Sequence, residues 1–114
     1  MNTVDTTSLE MLKEIIGDDL KEILLRFIET SVETLQQIKQ ALKDNNADNL
    51  QLHAHTLKGS SANIGATILP ELSFKLEKKG IEGIAQDLDT EIVNVELELD
   101  NVNDFIKNYI KDNF

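Results

Sequence analysis

The sequence predicts an all-α protein: an antiparallel, up-down four-helix bundle with a short additional N-terminal helix. Apolar residues recur in steps of three and four along most of the chain, and no segment alternates long enough for a strand. Only short turn signals separate these periodic segments, and helices joined by short turns pack as antiparallel neighbours. Since 114 residues can bury one modest core, we expect a single domain over 1–114 whose first six residues are flexible.

The first predicted helix is short and begins with a capping box. Thr7 is expected to cap it and Glu10, three residues later, to reach back to the cap. The helix should stop near Gly17. Asp18 and Asp19 then open a second helix, because negative charge is favourable at the positive end of the helix dipole.

The second helix is long and amphipathic, and it should extend to about Lys43. Its apolar positions are Leu20, Ile23, Leu24, Phe27, Ile28, Val32, Leu35, Ile38 and Leu42. A third helix is expected to begin near Asn46 or Ala47 and to end around Ile64, with Gly65 as the residue past its end.

Two further helices complete the predicted bundle. Thr67 is placed to cap the fourth, Pro70 falls in its first turn, and Gly80 should end it. After a link that contains Gly83, the last helix is expected to run from about Ile84 toward the C-terminus. The apolar positions of these two helices are Leu69, Leu72, Phe74 and Leu76, then Leu88, Ile92, Val95, Leu99, Val102, Phe105, Ile106, Tyr109 and Ile110.

Composition narrows the classes of function. The chain has 21 acidic and 11 basic residues, a net charge of −10, and no cysteine. Binding to nucleic acid or to an anionic membrane requires clustered lysine and arginine, so neither is an expected partner. No apolar run approaches the roughly 18 residues of a membrane span, and the polar N-terminus is not a secretory signal. We therefore expect a cytoplasmic protein.

Both histidines lie on the third predicted helix, but they point in different directions. The core stripe of that helix consists of Leu50, Ala54, Leu57, Ser61 and Ile64. His53 lies about 60° from its centre, at the core boundary, whereas His55 lies about 140° away, toward solvent. Because the two rings diverge and neither has a glutamate three residues before it, we expect no metal site.

The neighbours of His55 on the helix surface form a small, uneven patch. Lys58, Gly59 and Ala62 share its side, and Leu52 stands one turn before it. Lys58 is placed to meet an anion on the imidazole, Gly59 and Ala62 leave a shallow surface, and an exposed Leu52 suggests docking. Spacing alone leaves open both a functional His55 and an ordinary surface histidine.

The segment from His55 to Gly65, His-Thr-Leu-Lys-Gly-Ser-Ser-Ala-Asn-Ile-Gly, resembles the active-site signature of histidine-containing phosphotransfer (HPt) domains of two-component phosphorelays. Leu76 and Glu77, shortly before Gly80, also fit that family. The resemblance covers nearly the whole chain in length, helix order and motif placement. It implies a helical-bundle phosphocarrier.

The resemblance also implies roles for individual residues. His55 would accept and donate the phosphoryl group, and Lys58 would help to hold its oxygens. Gly59 and Gly65 would leave room for a partner. Glu77 stands where many members carry a glutamine or another polar residue that hydrogen-bonds the imidazole; a carboxylate there would orient the ring and favour its protonated form.

A carrier of this kind is not an enzyme in its own right. We expect it to have no cofactor, nucleotide site or metal site of its own, and to work as a monomer. Its partners would be receiver domains of response regulators, of a hybrid sensor histidine kinase, or of both. The partner would bring the aspartyl phosphate and Mg²⁺.

Three alternatives to a phosphocarrier remain open from the sequence. A helical interaction or scaffold module without phosphate chemistry would tolerate replacement of His55 by glutamine. The phosphoacceptor domain of a chemotaxis-type histidine kinase shares the fold and the motif. The dimerisation region of a histidine kinase is usually a two-helix hairpin, and five helical segments weigh against it.

Overall fold

The computed structural model describes residues 2–114 and contains five α-helices. They are α1 (Thr6–Ile16), α2 (Asp19–Lys43), α3 (Ala47–Asn63), α4 (Leu69–Ile81) and α5 (Asp89–Asn113). Helix α2 packs against α3 and α5, and α4 packs against the same two helices. Because short turns join them, these four helices run alternately up and down. The predicted all-α bundle with an extra N-terminal helix is confirmed.

The core of the bundle is aliphatic. Its largest fully buried side chains come from all five helices and include Leu9, Leu20, Leu24, Ile38, Leu50, Leu57, Leu69, Leu76, Val95, Leu99 and Ile106. Burying one such side chain stabilises the fold by about 1.5–3 kcal/mol. Buried leucines from both α3 and α4 therefore fix the two helices that carry the candidate site.

The start of α1 differs from the prediction. Its cap is Asp5, whose carboxylate accepts a hydrogen bond from the Thr7 amide (3.0 Å) and another from the Ser8 hydroxyl (3.2 Å). Glu10 does not reach back to a cap; it accepts a hydrogen bond from the Tyr109 hydroxyl at 3.0 Å. Asp5, two residues before Thr7, therefore takes the place of the predicted cap and accepts from a free amide of the first turn.

Helix α1 lies at the end of the bundle where α5 finishes. Besides the bond between Glu10 and Tyr109, the Lys13 ammonium stands 5.2 Å from the centre of the Phe114 ring. Gly17, with φ +60°, ends α1 as predicted, and the chain turns directly into α2. These contacts support the expected position of the short helix across one end.

The segment before α1, for which the sequence predicts flexibility, contacts the bundle. Val4 is fully buried and forms an isolated antiparallel bridge with Ala66 in the α3–α4 turn. The Asp5 amide donates to the Gly65 carbonyl at 2.8 Å. Backbone pairing and an apolar anchor thus tie the N-terminal segment to the bundle. Met1, part of the same expectation, lies outside the described residues.

The cap predicted for α4 is also wrong. The Thr67 hydroxyl donates to the Asn2 carbonyl, and Ile68 occupies the cap position without a side-chain hydrogen bond. Pro70 does lie in the first turn. At the other end, Gly80 does not stop the helix, which continues for one more residue; Gly83, with φ +79°, lies in the turn that follows.

Helix α5 begins five residues later than predicted, at Asp89. The link before it is held against the bundle by Ala85 and Leu88, which are both buried. Asp87 adopts φ +60°, a left-handed conformation that an α-helix cannot contain. The chain therefore crosses from α4 to α5 in an irregular link, although its apolar residues follow a helical spacing.

Three residues of the apolar stripes predicted for α2 and α4 are nearly half exposed. Ile23, Val32 and Phe74 each keep more than 40% of their surface accessible. In α2 the buried positions include Ser31 and Thr34, whose hydroxyls donate to backbone carbonyls of their own helix. None of the helices within residues 2–114 has the length and apolarity to cross a membrane.

Candidate functional site

His55 lies in the middle of α3 and faces outward, as the helix phase predicted. Its side chain is 64% exposed, whereas Ala54 and Leu57 on the core face are fully buried. His53 is half-buried at the edge of the core. Of the two histidines, His55 alone presents a large part of its ring to an approaching molecule.

Helix α4 supplies the group that orients the His55 ring. The Nδ1 atom lies 2.9 Å from Oε2 of Glu77, whose side chain is only 9% exposed. An ionised carboxylate can only accept hydrogen bonds, so Nδ1 must carry the proton. In a neutral imidazole this leaves Nε2 with a free lone pair.

Lys58 completes a three-residue cluster. Its ammonium nitrogen lies 2.6 Å from Oε1 of Glu77, so each oxygen of this carboxylate has its own partner on α3. The same ammonium stands 4.8 Å from the centre of the Phe74 ring, within cation–π range. The structure therefore brings together the three residues predicted for the chemistry, His55, Lys58 and Glu77.

The environment of Glu77 keeps it ionised. Burial acts to raise the pKa of its carboxyl, but the hydrogen bonds and positive charge supplied by Lys58 and His55 outweigh that effect. The pKa consequently lies below its ordinary value of 4.5. At neutral pH the cluster thus contains a carboxylate that can both accept from the imidazole and neutralise the lysine.

Three of the predicted partner-binding residues lie beside His55 on the open face of α3. Leu52 is 57% exposed, and Gly59 and Ala62 are also exposed. A Cβ atom added at Gly59 would meet no atom of the protein within 4 Å, so the space above this residue is open. On this face Leu52 lies about one turn before His55, and Gly59 and Ala62 lie about one and two turns after it.

Gly65, the fourth predicted partner-binding residue, belongs elsewhere. It lies ten residues after His55, about 15 Å along the helix direction. A Cβ atom there would stand 3.1 Å from the Ser8 Cβ and 3.3 Å from the Asp5 carbonyl oxygen, so the neighbouring space is already filled. With φ +85°, Gly65 closes α3 and receives the N-terminal segment. It does not leave room for a partner at His55.

Sequence reasoning missed three residues around the site. Asp48 and Gln51 line a shallow depression of about 350 Å³ together with Leu52, His55 and Glu77. Phe74 contacts Lys58 from α4. Spacing contained part of the signal, because Gln51 precedes His55 by one helical turn and Phe74 precedes Glu77 by three residues.

No cluster of three or more histidine, cysteine, aspartate or glutamate side chains suited to a metal ion occurs within residues 2–114. Glu77, the carboxylate beside His55, is engaged by a donor and by a cation. The chemistry that the site itself can support is that of an exposed, oriented imidazole next to an ammonium group.

The chain is similar to known proteins in sequence and in fold. The family model described as "Hpt domain" matches residues 22–105. Histidine-containing phosphotransfer protein B (HptB) from Pseudomonas aeruginosa PAO1 superposes with a TM-score of 0.92 at 28% identity, covering 98% of this chain and 97% of that one. The HPT domain of a sensor hybrid histidine kinase from Shewanella gives 0.81 at 22% identity, with coverage of 96% and 95%. No curated protein sequence matches the chain.

Proposed function

Because the chain belongs to the Hpt-domain family, we propose that it is a phosphorelay carrier that uses His55 to take a phosphoryl group from one receiver-domain aspartate and pass it to another. The observation that carries the residue assignment is the contact between His55 Nδ1 and Glu77. It points the unprotonated Nε2 toward solvent in a side chain that is 64% exposed.

The chemistry follows from this arrangement. Nε2 attacks the phosphorus of an aspartyl phosphate in line with the bond to the aspartate oxygen. A nitrogen–phosphorus bond forms, the phosphorus–oxygen bond breaks, and the aspartate leaves as a carboxylate. The proton on Nδ1 stays in place, and the positive charge that develops on the ring is stabilised by Glu77. Reversal of the same steps delivers the group to the next aspartate.

Lys58 would then change its role during the reaction. At rest its ammonium group neutralises Glu77. A phosphoryl group on the neighbouring imidazole offers three strong acceptor oxygens, to which a lysine three residues further along the helix can turn. Lys58 would therefore help to hold the phosphoryl oxygens, while Glu77 continues to hold the ring.

We assign the aspartyl phosphate and Mg²⁺ to the partner. In this protein the carboxylate nearest to His55 already has both oxygens engaged by Lys58 and the imidazole. The partner would be a receiver domain of a response regulator or of a hybrid sensor kinase. It would dock over Leu52, Gly59 and Ala62, whose surface is open. The carrier would act as a cytoplasmic monomer.

Phosphotransfer in vitro tests the proposal. The full chain is incubated with a receiver domain phosphorylated on aspartate, in the presence of Mg²⁺. Wild-type protein should gain a label that is labile in acid and stable in alkali, as expected of phosphohistidine. His55→Gln should gain none, and His53→Gln should be labelled normally. A wild-type protein that stays unlabelled with a panel of receivers would instead support a scaffold module.

A further inference from the structure

Gly80 occupies the closest contact between α3 and α4. A Cβ atom added there would lie 2.6 Å from the Gln51 amide nitrogen, 2.8 Å from the Ala47 carbonyl oxygen and 2.9 Å from the Gln51 Cα. Non-bonded heavy atoms attract best at about 3.5–4.0 Å, so all three distances are steric clashes. The clashing atoms belong to backbone inside a helix and cannot rotate away.

The backbone conformation of Gly80 does not itself require glycine. The glycines with positive φ are Gly17, Gly65 and Gly83, whereas Gly80 lies within α4. Glycine inside a helix is unfavourable relative to alanine because it loses more conformational freedom on folding. The close approach of the two helices is thus the physical reason for a glycine at this buried position.

This contact is adjacent to the candidate site along the same interface. Helices α3 and α4 are antiparallel, and Glu77 lies three residues before Gly80, while His55 lies four residues after Gln51. Each step is about one helical turn. The α3–α4 interface therefore contains two neighbouring contacts, one helical turn apart. One is the contact of Gly80 with Gln51, and the other is the hydrogen bond between Glu77 and His55.

From this register we propose that Gly80 is a positioning residue: by admitting the α3 backbone, it sets the helix separation at which Glu77 reaches His55. This inference rests on the proposed role of His55. A side chain at position 80 would have to open the contact by roughly 0.9 Å to relieve the clash. The same displacement would lengthen the 2.9 Å contact to about 3.8 Å, beyond hydrogen-bonding distance.

Side-chain adjustment offers Glu77 little compensation. Its two partners, His55 and Lys58, both lie on α3, so separation of the helices lengthens both contacts at once. A loosened Glu77 would release the ring, and the proton would then distribute between Nδ1 and Nε2. A molecule with the proton on Nε2 has its lone pair on Nδ1 and cannot attack through Nε2.

Nuclear magnetic resonance of the His55 ring nitrogens tests this inference directly in the full chain. Wild-type protein should show the tautomer protonated on Nδ1, and Gly80→Ala should shift the population toward the one protonated on Nε2. Val102→Ala serves as the control, because it opens a buried position on α5, a helix that contributes no residue to the cluster of His55, Lys58 and Glu77. It should lower the melting temperature and leave the tautomer unchanged.

Transfer kinetics supply a second, independent readout. Gly80→Ala should slow phosphoryl transfer by the same factor as Glu77→Ala, and the double variant should be no slower than Glu77→Ala alone. An undiminished effect of Gly80→Ala in the Glu77→Ala background, or an unchanged tautomer, overturns the inference. Wild-type protein that takes up no label would refute the proposed function, whereas the ring spectra would still decide the role of Gly80.

A measurement on wild-type protein covers the case in which Gly80→Ala does not fold. The close approach predicts a strong nuclear Overhauser effect between the Gly80 α-protons and the Gln51 amide proton. Its presence supports the tight register on which the positioning role depends. Its absence would mean that the helices are further apart, and the inference would fail.

Discussion

The Glu77 carboxylate joins His55 of α3 to a buried position of α4 through a contact of 2.9 Å. Its second oxygen lies 2.6 Å from the Lys58 ammonium, so one side chain organises both groups proposed for the chemistry. A histidine that is 64% exposed would otherwise sample many orientations. Glu77 therefore orients the His55 ring, and the first predictions concern it.

Replacing Glu77 should slow phosphoryl transfer without removing the phosphoryl acceptor. Glu77→Ala removes the partner of Nδ1, and we expect transfer to fall about tenfold, equivalent to about 1.4 kcal/mol. Glu77→Gln keeps an oxygen that can accept from Nδ1 and should lie between Glu77→Ala and the wild type. Single-turnover transfer from a phosphorylated receiver measures the order. Equal rates for all three proteins would contradict the role of the carboxylate.

Lys58→Met should affect both transfer and the titration of Glu77. The substitution keeps an apolar stem but removes the charge that lowers the Glu77 pKa against the effect of burial. We expect that pKa to rise and transfer to slow, with a modest fall in melting temperature, because the buried carboxylate loses one of its two partners while the core packing is untouched. Carbon-13 spectra of the Glu77 carboxyl report the titration. A large loss of thermal stability would show that Lys58 has a structural role.

Acidification should remove the stability that the cluster contributes. Because the folded-state pKa of Glu77 lies below 4.5, its ionised form is the one that folding favours. That contribution is complete above the unfolded-state pKa and is lost as pH falls through the folded-state value. Urea unfolding should therefore find Glu77→Gln less stable than wild type at pH 7, with a smaller difference near pH 3. If the stability difference between wild type and Glu77→Gln grew in acid, folding would raise the Glu77 pKa instead of lowering it.

Gly59→Gln should separate folding from docking. The space above Gly59 is open within the protein, so the new side chain meets no steric barrier there. Glutamine also favours the helix over glycine by a few tenths of a kcal/mol or more. We expect an unchanged or higher melting temperature together with weaker receiver binding, measured by calorimetry. Binding as tight as that of the wild type would argue against close approach over α3.

Gly65→Ala should show the opposite pattern. Alanine is strained at φ +85°, and its Cβ would lie 3.1 Å from the Ser8 Cβ. We expect a loss of about 1–2 kcal/mol, or roughly 4–10 °C in melting temperature. Receiver binding below the melting transition should be unchanged, since Gly65 is about 15 Å from His55. If Gly65→Ala kept the wild-type stability but lost receiver binding, Gly65 would belong to the docking surface.

The parts of the fold that follow from local pattern could be predicted from the sequence. The bounds of α2 and α3 and the outward direction of His55 all depend on a helical period that continues without interruption. The start of α5 could not be predicted, because Asp87 has a positive φ within a segment whose apolar residues follow a helical spacing. Leu88 falls at a helical spacing because it is buried, although it lies in the irregular link before α5.

The candidate site, like the fold, could be predicted only in part from the sequence. Lys58 and Gly59 could be placed beside His55 because residues three and four apart share a helix face. The reach of Glu77 and the tight contact at Gly80 depend on the register between two helices, which no local period encodes. Only the family resemblance indicated Glu77 in advance. The sequence alone predicts a helix stop at Gly80, because glycine commonly has that role.

The balance of charge around Glu77 has a consequence for the lifetime of the complex with a receiver. At rest the positive charge of the Lys58 ammonium and the negative charge of the Glu77 carboxylate balance each other beside the imidazole. A phosphoryl group on His55 would add up to about two negative charges. The loaded protein would be drawn to the metal ion of a receiver, and the emptied protein would lose that attraction. Completion of the transfer would thereby promote dissociation and free the carrier for its next encounter.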